Sequence, residues 1–249
     1  MDSILAFLVF SISLAAAFID VMVGGSSLII IPAFAVLGIP VLTVIATNRL
    51  YVVVFVLTGL LNYIRNKVKL DMKMIAGFLI IRVIGAFTGS LFVVSIPVAL
   101  VKTIVAVFMF AALAAIVLLR SRENKHAKPN KNMFLLACVA MLLLGFYEGA
   151  VGGGAGTISR IILVAVLGYA LIEAALAELV MSFAASSVAS IVFVFSGSVD
   201  FVLLIPMVAG GIIGAYAGSH FALKKGEAWI RSLLYVVSAA LLLKLLFFS

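Results

Sequence analysis

The chain contains one glycine-rich motif twice, and both copies lie inside long apolar tracts. Phe18-Ile19-Asp20, followed by Val23-Gly24-Gly25, returns 128 positions later as Phe146-Tyr147-Glu148, followed by Val151-Gly152-Gly153. A second motif, Ile84 to Ser90, returns as Ile213 to Ser219 at an offset of 129. A duplicated acidic motif that interrupts apolar segments with glycine is typical of membrane proteins built from two structural repeats, many of which are transporters.

Composition places the whole chain in the membrane. Of its 249 residues, 66% are hydrophobic and only 10% are charged, whereas soluble domains carry about 25% charged residues. Apolar runs of about 20 residues, enough to span a bilayer as a helix, recur along the chain. The alternating ten-residue strands of a membrane barrel are absent from the sequence. We therefore predict an all-α polytopic membrane protein with eight to ten helical segments, some of them glycine-broken or re-entrant.

Five apolar segments can be drawn in each half of the chain. They cover residues 3–23, 27–45, 47–64, 74–94 and 98–119, and then 132–151, 155–172, 174–196, 201–222 and 229–248. The hydrophilic stretch 120–131 joins the halves, so we predict one integral membrane domain over 1–249, with repeat 1 at 1–119 and repeat 2 at 132–249. Glycines interrupt the first two segments of each half, which leaves open whether these are full crossings or re-entrant pairs.

The basic residues predict the orientation of the chain. The stretches 65–73, 120–131 and 224–231 hold 12 of the 17 Lys and Arg residues, and such loops face the cytoplasm. This places both termini outside a multi-pass protein of the inner (plasma) membrane. Loops at equivalent repeat positions then lie on opposite sides, so the two halves are predicted to be inverted repeats.

Each glycine break is followed by a helix restart, at Ser26-Ser27 and at Ala155-Gly156-Thr157. Hydroxyl side chains at these positions are expected to cap the new helices. The free N–H groups and the positive end of the helix dipole favour an anion there. The alternative is that the glycines serve only to let helices approach closely.

Six charged residues fall within apolar tracts, where charge is costly and usually faces a cavity or a partner. Arginine binds planar oxyanions through two parallel hydrogen bonds, and carboxyl groups in a dry site can exchange protons. The predicted substrate-binding residues are Asn48, Arg49, Arg82, Arg160, Gly24, Gly25, Ser26, Ser27, Gly152, Gly153, Gly154 and Thr157. The predicted gating or proton-coupling residues are Asp20, Glu148 and Glu178. A purely structural alternative pairs the charges with each other, for example Arg49 with Glu178 or Arg160 with Glu148.

The sequence gives no sign of enzyme, metal or nucleic-acid chemistry. His126 and His220 are far apart, Cys138 is the only cysteine, and no nucleophile or phosphate-loop motif occurs. The net charge of +8 is explained by loops that set membrane topology. We therefore expect no metal, no cofactor and no nucleic-acid partner.

Two stretches resemble the TauE/SafE sulfite-exporter family: Val23 to Pro40 with Ala46 to Leu50, and Gly145 to Thr157. The resemblance covers nearly the whole chain and implies a small secondary transporter of sulfite, organosulfonates or sulfoacetate. It carries over to Asp20, Gly24, Gly25, Ser26, Ser27, Pro32, Thr47 and Asn48, and to Gly145, Phe146, Tyr147, Glu148, Gly149, Gly152, Gly154 and Gly156. Glu148 departs from the aspartate common in the family, and the buried Arg82, Arg160 and Glu178 are additional to its pattern.

The sequence thus predicts a transporter that exports a small sulfur anion by alternating access. Proton coupling and a homodimeric assembly are left open. Two other functions are compatible with the same residues: a passive anion channel, and an integral membrane enzyme acting on a lipid-linked anion. The enzyme hypothesis is weakened because the sequence shows no recognisable set of a nucleophile and a base.

Overall fold

The computed structural model describes residues 2–68, 70, 72–97, 99–101, 103–105, 107 and 131–226. In these ranges the named helices are α1 (Ser3–Val23), α2 (Ser26–Val36), α3 (Val41–Arg65), α4 (Met72–Ser95), α5 (Lys131–Ala150), α6 (Ala155–Leu167), α7 (Leu171–Phe195) and α8 (Phe201–Lys225). The predicted all-α polytopic fold is confirmed. The predicted segments 98–119 and 229–248 and the linker 120–131 lie almost wholly outside the described residues.

Five stretches of helix in the described part are long and apolar enough to cross a membrane. They are Ser3–Val23, Val41–Arg65, Ile75–Ser95, Leu171–Phe195 and Phe201–Lys225. The most deeply buried large side chains include Arg49 and Arg82, at 1% and 0% exposure, whereas Ile80 and Ile84 on the outer face of α4 are more than half exposed. Polar groups inside and apolar groups outside are the arrangement expected of a protein surrounded by lipid.

The second helix of each half is shorter than the apolar segment drawn for it from the sequence. Helix α2 ends at Val36 because Gly38 adopts a left-handed backbone (φ +82°) and Pro40 then caps α3. Residues 41–45, assigned to segment 27–45 from the sequence, therefore belong to α3. Helix α6 ends likewise at Gly168 (φ +71°). With 11 and 13 residues, these helices are about 16 and 20 Å long and cannot cross a hydrocarbon core of about 30 Å.

The helices pack in equivalent pairs in the two halves. Helix α1 packs against α8 as α5 packs against α4, and α3 packs against α8 as α7 packs against α4. Helices α3 and α7, which occupy equivalent positions, pack against each other. This exchange of partners between halves is what two related repeats produce. The inversion of the halves across the membrane stays a prediction.

The second repeated motif explains the two closest helix pairs. A Cβ on Gly85 or Gly89 of α4 would overlap the backbone of α5, and a Cβ on Gly214 or Gly218 of α8 would overlap the backbone of α1. Small residues four apart allow such approach within membranes, where close packing holds helices together. For this motif, close packing is therefore a sufficient explanation of the glycines.

Candidate functional site

The two glycine breaks contact each other inside the bundle. Gly24 lies so close to the start of α6 that a Cβ there would be 2.5 Å from Thr157 N and 2.7 Å from the carbonyl carbon of Gly156. The Thr157 hydroxyl donates a hydrogen bond to the carbonyl of Val23 (3.0 Å). Gly25 approaches the same hydroxyl and Gly154. Residues of each break therefore pack directly against residues of the other.

Both helices that follow the breaks begin at a glycine rather than at a hydroxyl residue. Gly25 (φ +97°) and Gly154 (φ +82°) occupy the cap positions of α2 and α6, in left-handed conformations that glycine adopts at low cost. The prediction that Ser26, Ser27 and Thr157 cap these helices is wrong, because these hydroxyl residues lie within the first turns and no side chain at the cap position bonds to the backbone.

The first free N–H group of α2 donates its hydrogen bond to the side chain of Asp20 instead. Ser26 N–H donates to Asp20 Oδ2 at 2.6 Å. The half-buried Asp20 carboxyl group therefore takes the position at the helix N-terminus where the sequence predicts a bound anion. Asp20 forms no ion pair with a basic side chain of the described part of the chain.

Arg49 is buried beside both breaks. Its Nη2 donates to Ser27 Oγ (2.8 Å) and to the carbonyl of Val151 (3.3 Å), and Asn48 Nδ2 donates to the same serine (2.8 Å). The guanidinium fills the space that a side chain on Gly152 would take. Its Nε has no hydrogen-bond partner, and no carboxylate forms an ion pair with it, among the described residues.

A network of ion pairs surrounds Arg82. Its Nε donates to Glu148 Oε2 (2.6 Å), its Nη1 to Ser159 Oγ (2.8 Å) and its Nη2 to Glu178 Oε1 (3.4 Å). Ser182 Oγ donates to the other oxygen of Glu148 (2.7 Å). Every nitrogen of this guanidinium is thus engaged within the protein. The predicted structural pairings of Arg49 with Glu178 and of Arg160 with Glu148 do not occur.

Arg160 links this network to the first break and has N–H groups that form no hydrogen bond to the described residues. Its Nη2 donates to Glu178 Oε2 (3.0 Å) and to the carbonyl of Asp20 (2.9 Å). Its Nε and Nη1 are buried without a hydrogen-bond partner within the described ranges. A cation in this state can accept an anionic ligand at little cost in reorganisation, because the unmet donors are already desolvated.

The structure brings the predicted site residues into one connected cluster. Gly153 completes it, packing against Leu28 and accepting a hydrogen bond from the Tyr147 hydroxyl. Sequence reasoning missed Ser159 and Ser182, whose signals were their positions next to Arg160 and one turn after Glu178. Thr47, carried over by the resemblance, lies elsewhere, where its hydroxyl accepts from Asp200 N–H (3.0 Å).

Known proteins resemble this chain over nearly its whole length. The family model described as "Sulfite exporter TauE/SafE" matches residues 9–245. A "Probable membrane transporter protein" of Haemophilus influenzae is 28% identical over 96% of this chain and 94% of its own. The "Probable membrane transporter protein ORF9" of Sinorhizobium sp is 31% identical over 98% of this chain and 92% of its own.

A third relative, "Probable membrane transporter protein YfcA" of Escherichia coli K12, is 26% identical over 96% of this chain and 89% of its own. No solved structure matches the chain at a significant level. The family match spans both halves of the chain, and with them the glycine breaks and the buried charges described above. This chain is a multi-pass membrane transporter that belongs to the sulfite exporter TauE/SafE family.

Proposed function

We propose that this transporter binds a small sulfur oxyanion at Arg49 and Arg160 and exports it by alternating access. The observation that carries the proposal is the set of buried N–H donors, Nε of Arg49 and Nε and Nη1 of Arg160, that have no partner among the described residues. A guanidinium offers its donors in a planar fork that fits two oxygens of an oxyanion. Arg82, each of whose three nitrogens donates a hydrogen bond within the protein, would instead hold the carboxylates in place.

The charge and shape of these donors support a small oxyanion as the substrate. Sulfite and sulfonates present several oxygens on one sulfur atom, so one anion can accept from more than one N–H group. The family description names sulfite, whereas the relatives' names specify only membrane transport. We therefore propose sulfite, or an organosulfonate such as sulfoacetate, as the substrate.

We assign the gate to Asp20 among the three carboxylates. Glu148 and Glu178 are held by arginines at 2.6 to 3.4 Å, so releasing either would leave a buried charge unpaired. Asp20 is held by one backbone N–H. Its departure from Ser26, with or without a proton, would free the N-terminus of α2 for the substrate.

Export of an anion is favoured even without a coupled ion. An inside-negative membrane potential contributes about 2.3 kcal/mol per elementary charge for each 100 mV. Proton movement through Asp20 would add to this driving force or set its direction. The contact between Gly24 and the start of α6 is where the two halves would rock against each other in such a cycle.

The test is transport by the purified protein in liposomes. Labelled sulfite is measured for uptake and for counterflow, with sulfate, sulfoacetate and taurine as competitors, and with or without a pH gradient. We expect saturable counterflow with preference for one sulfur anion. Conductance without counterflow would indicate a passive channel, conversion of the anion into a product would indicate an enzyme, and either result would overturn the proposal.

A further inference from the structure

Two buried serines of α7 have hydroxyl groups that the fold does not use. Ser186 and Ser190 are 0% and 3% exposed, and neither Oγ has a hydrogen-bond partner within the described ranges. Their neighbour Ser187 behaves differently, since its hydroxyl donates to the carbonyl of Phe183 in its own helix (2.7 Å). A buried polar group left without a partner is destabilising, so its presence calls for an explanation.

These serines continue a polar row that begins at the candidate site. Glu178, Ser182, Ser186 and Ser190 are spaced by four residues, so each lies about one turn beyond the last, in a row that winds about 120° around α7. Glu178 accepts from Arg82 and Arg160, and Ser182 donates to Glu148 at 2.7 Å. Successive members rise by about 6 Å along the helix, which is about the span of two hydrogen bonds through one water molecule or one substrate oxygen.

Helix packing alone does not require this polarity. The equivalent residues of α3, 130 positions earlier, are Asn48, Val52, Val56 and Leu60. Val52 and Val56 are buried like the serines, at 4% and 1% exposure. Branched apolar side chains thus pack at the equivalent positions in the other half. Packing therefore does not explain why α7 has hydroxyl groups there.

The row runs from the site toward the more distant end of α7. Glu178 lies seven residues after the first residue of α7 and 17 before its last residue, Phe195, which corresponds to about 10 Å and about 26 Å along the helix. A substrate leaving toward the end of α7 therefore travels farther through the bundle. Hydroxyl groups on this side can donate to an oxyanion as it passes.

We propose that the row Glu178, Ser182, Ser186 and Ser190 lines the route of the anion between the site and the membrane face at which α7 ends. The loop charges predict that this face is extracytoplasmic. The inference rests on the proposed function and names the route that serves it. Because the serines are buried here, the route is closed in this structure and opens in another state of the cycle.

Cysteine labelling tests the route without requiring transport. The variants are Ser186→Cys and Ser190→Cys, with Ser187→Cys as the control, in a Cys138→Ala background that removes the only cysteine. The probe is a small anionic methanethiosulfonate added to proteoliposomes from outside. Because thiolates form in water rather than in lipid or a packed interior, we expect positions 186 and 190 to react about tenfold faster than 187.

Equal rates at all three positions, or no reaction at 186 and 190, would overturn the route. If a cysteine variant fails to fold, the double variant Ser186→Ala/Ser190→Ala replaces it. It should slow counterflow at least fivefold with an unchanged melting temperature, whereas Ser187→Ala should not, and an unchanged rate would overturn the route. Labelling at 186 and 190 in a protein that shows no counterflow would support the route while refuting the proposed function.

Discussion

Replacing Arg49 with lysine tests whether the shape of the buried guanidinium, and not only its charge, binds the substrate. In the structure, one nitrogen of Arg49 spans Ser27 Oγ (2.8 Å) and the carbonyl of Val151 (3.3 Å), which leaves Nε for a ligand. Lysine keeps the positive charge but concentrates it at one point on a flexible stem. A lysine ammonium bonded to Ser27 has no second nitrogen at the position of Nε from which to donate to the anion.

The expected loss is one hydrogen bond to a charged group. Such a bond contributes about 1.5 to 3 kcal/mol, and about 1.4 kcal/mol corresponds to a tenfold change in affinity. We therefore expect Arg49→Lys to raise the half-saturating sulfite concentration by about 10- to 150-fold. Arg49→Ala, which also removes the charge, should abolish saturable transport.

Initial rates of sulfite counterflow in liposomes, measured over a range of sulfite concentrations, give the half-saturating value. Arg65→Lys is the matched control, because Arg65 ends the same helix and is exposed. The melting temperature of each purified variant shows whether it is folded. A folded Arg49→Lys variant with a half-saturating concentration within about twofold of wild type would refute the assignment of Arg49.

Two further variants test the architecture of the site. Gly152→Ala should abolish counterflow, because its Cβ would take the space of the Arg49 guanidinium. The control is Gly168→Ala, which has a similar backbone (φ +71° against +80°) but open space around it, and which should cost only about 1–3 kcal/mol of strain. Equal losses of flux in the two variants would mean that backbone strain alone is responsible. Arg82→Met should lower the free energy of unfolding by about 3–5 kcal/mol, since it strands Glu148 as a buried charge. Adding Glu148→Gln should restore part of that loss in denaturant titrations, and simple additivity of the two effects would contradict the pairing.

The fold was predictable from the sequence because its strongest signals are local. Apolar runs define the long helices, and Gly24-Gly25 and Gly152-Gly153 mark the breaks in both halves. The boundary between α2 and α3 was misplaced, although Gly38 and Pro40 are residues that commonly follow the end of a helix. Residues 41–45 are apolar and continue a helical pattern on either side, so hydrophobicity alone does not show which helix they join.

The pairing of the buried charges was not predictable, because it depends on contacts between distant segments. Arg82 and Glu148 are 66 residues apart, and Arg49 and the Val151 carbonyl are 102 apart. Which arginine reaches which carboxylate is set by the close packing of α4 on α5 and of α3 on α7. The helix caps were predicted wrongly for a related reason: Asp20, six residues before Ser26, reaches across the glycine turn, a reach that a local capping rule does not include.

Locating a bound anion in the protein shows whether the buried arginines at the glycine breaks bind the transported anion. Selenite has the shape and charge of sulfite, and its selenium atom can be placed by anomalous diffraction from crystals of the protein soaked in it. We expect a selenium peak within hydrogen-bonding range of Arg49 Nε or of Arg160 Nε and Nη1, and we expect the double variant Arg49→Ala/Arg160→Ala to lose it. Peaks confined to exposed basic residues such as Arg65, Lys224 and Lys225 would contradict it.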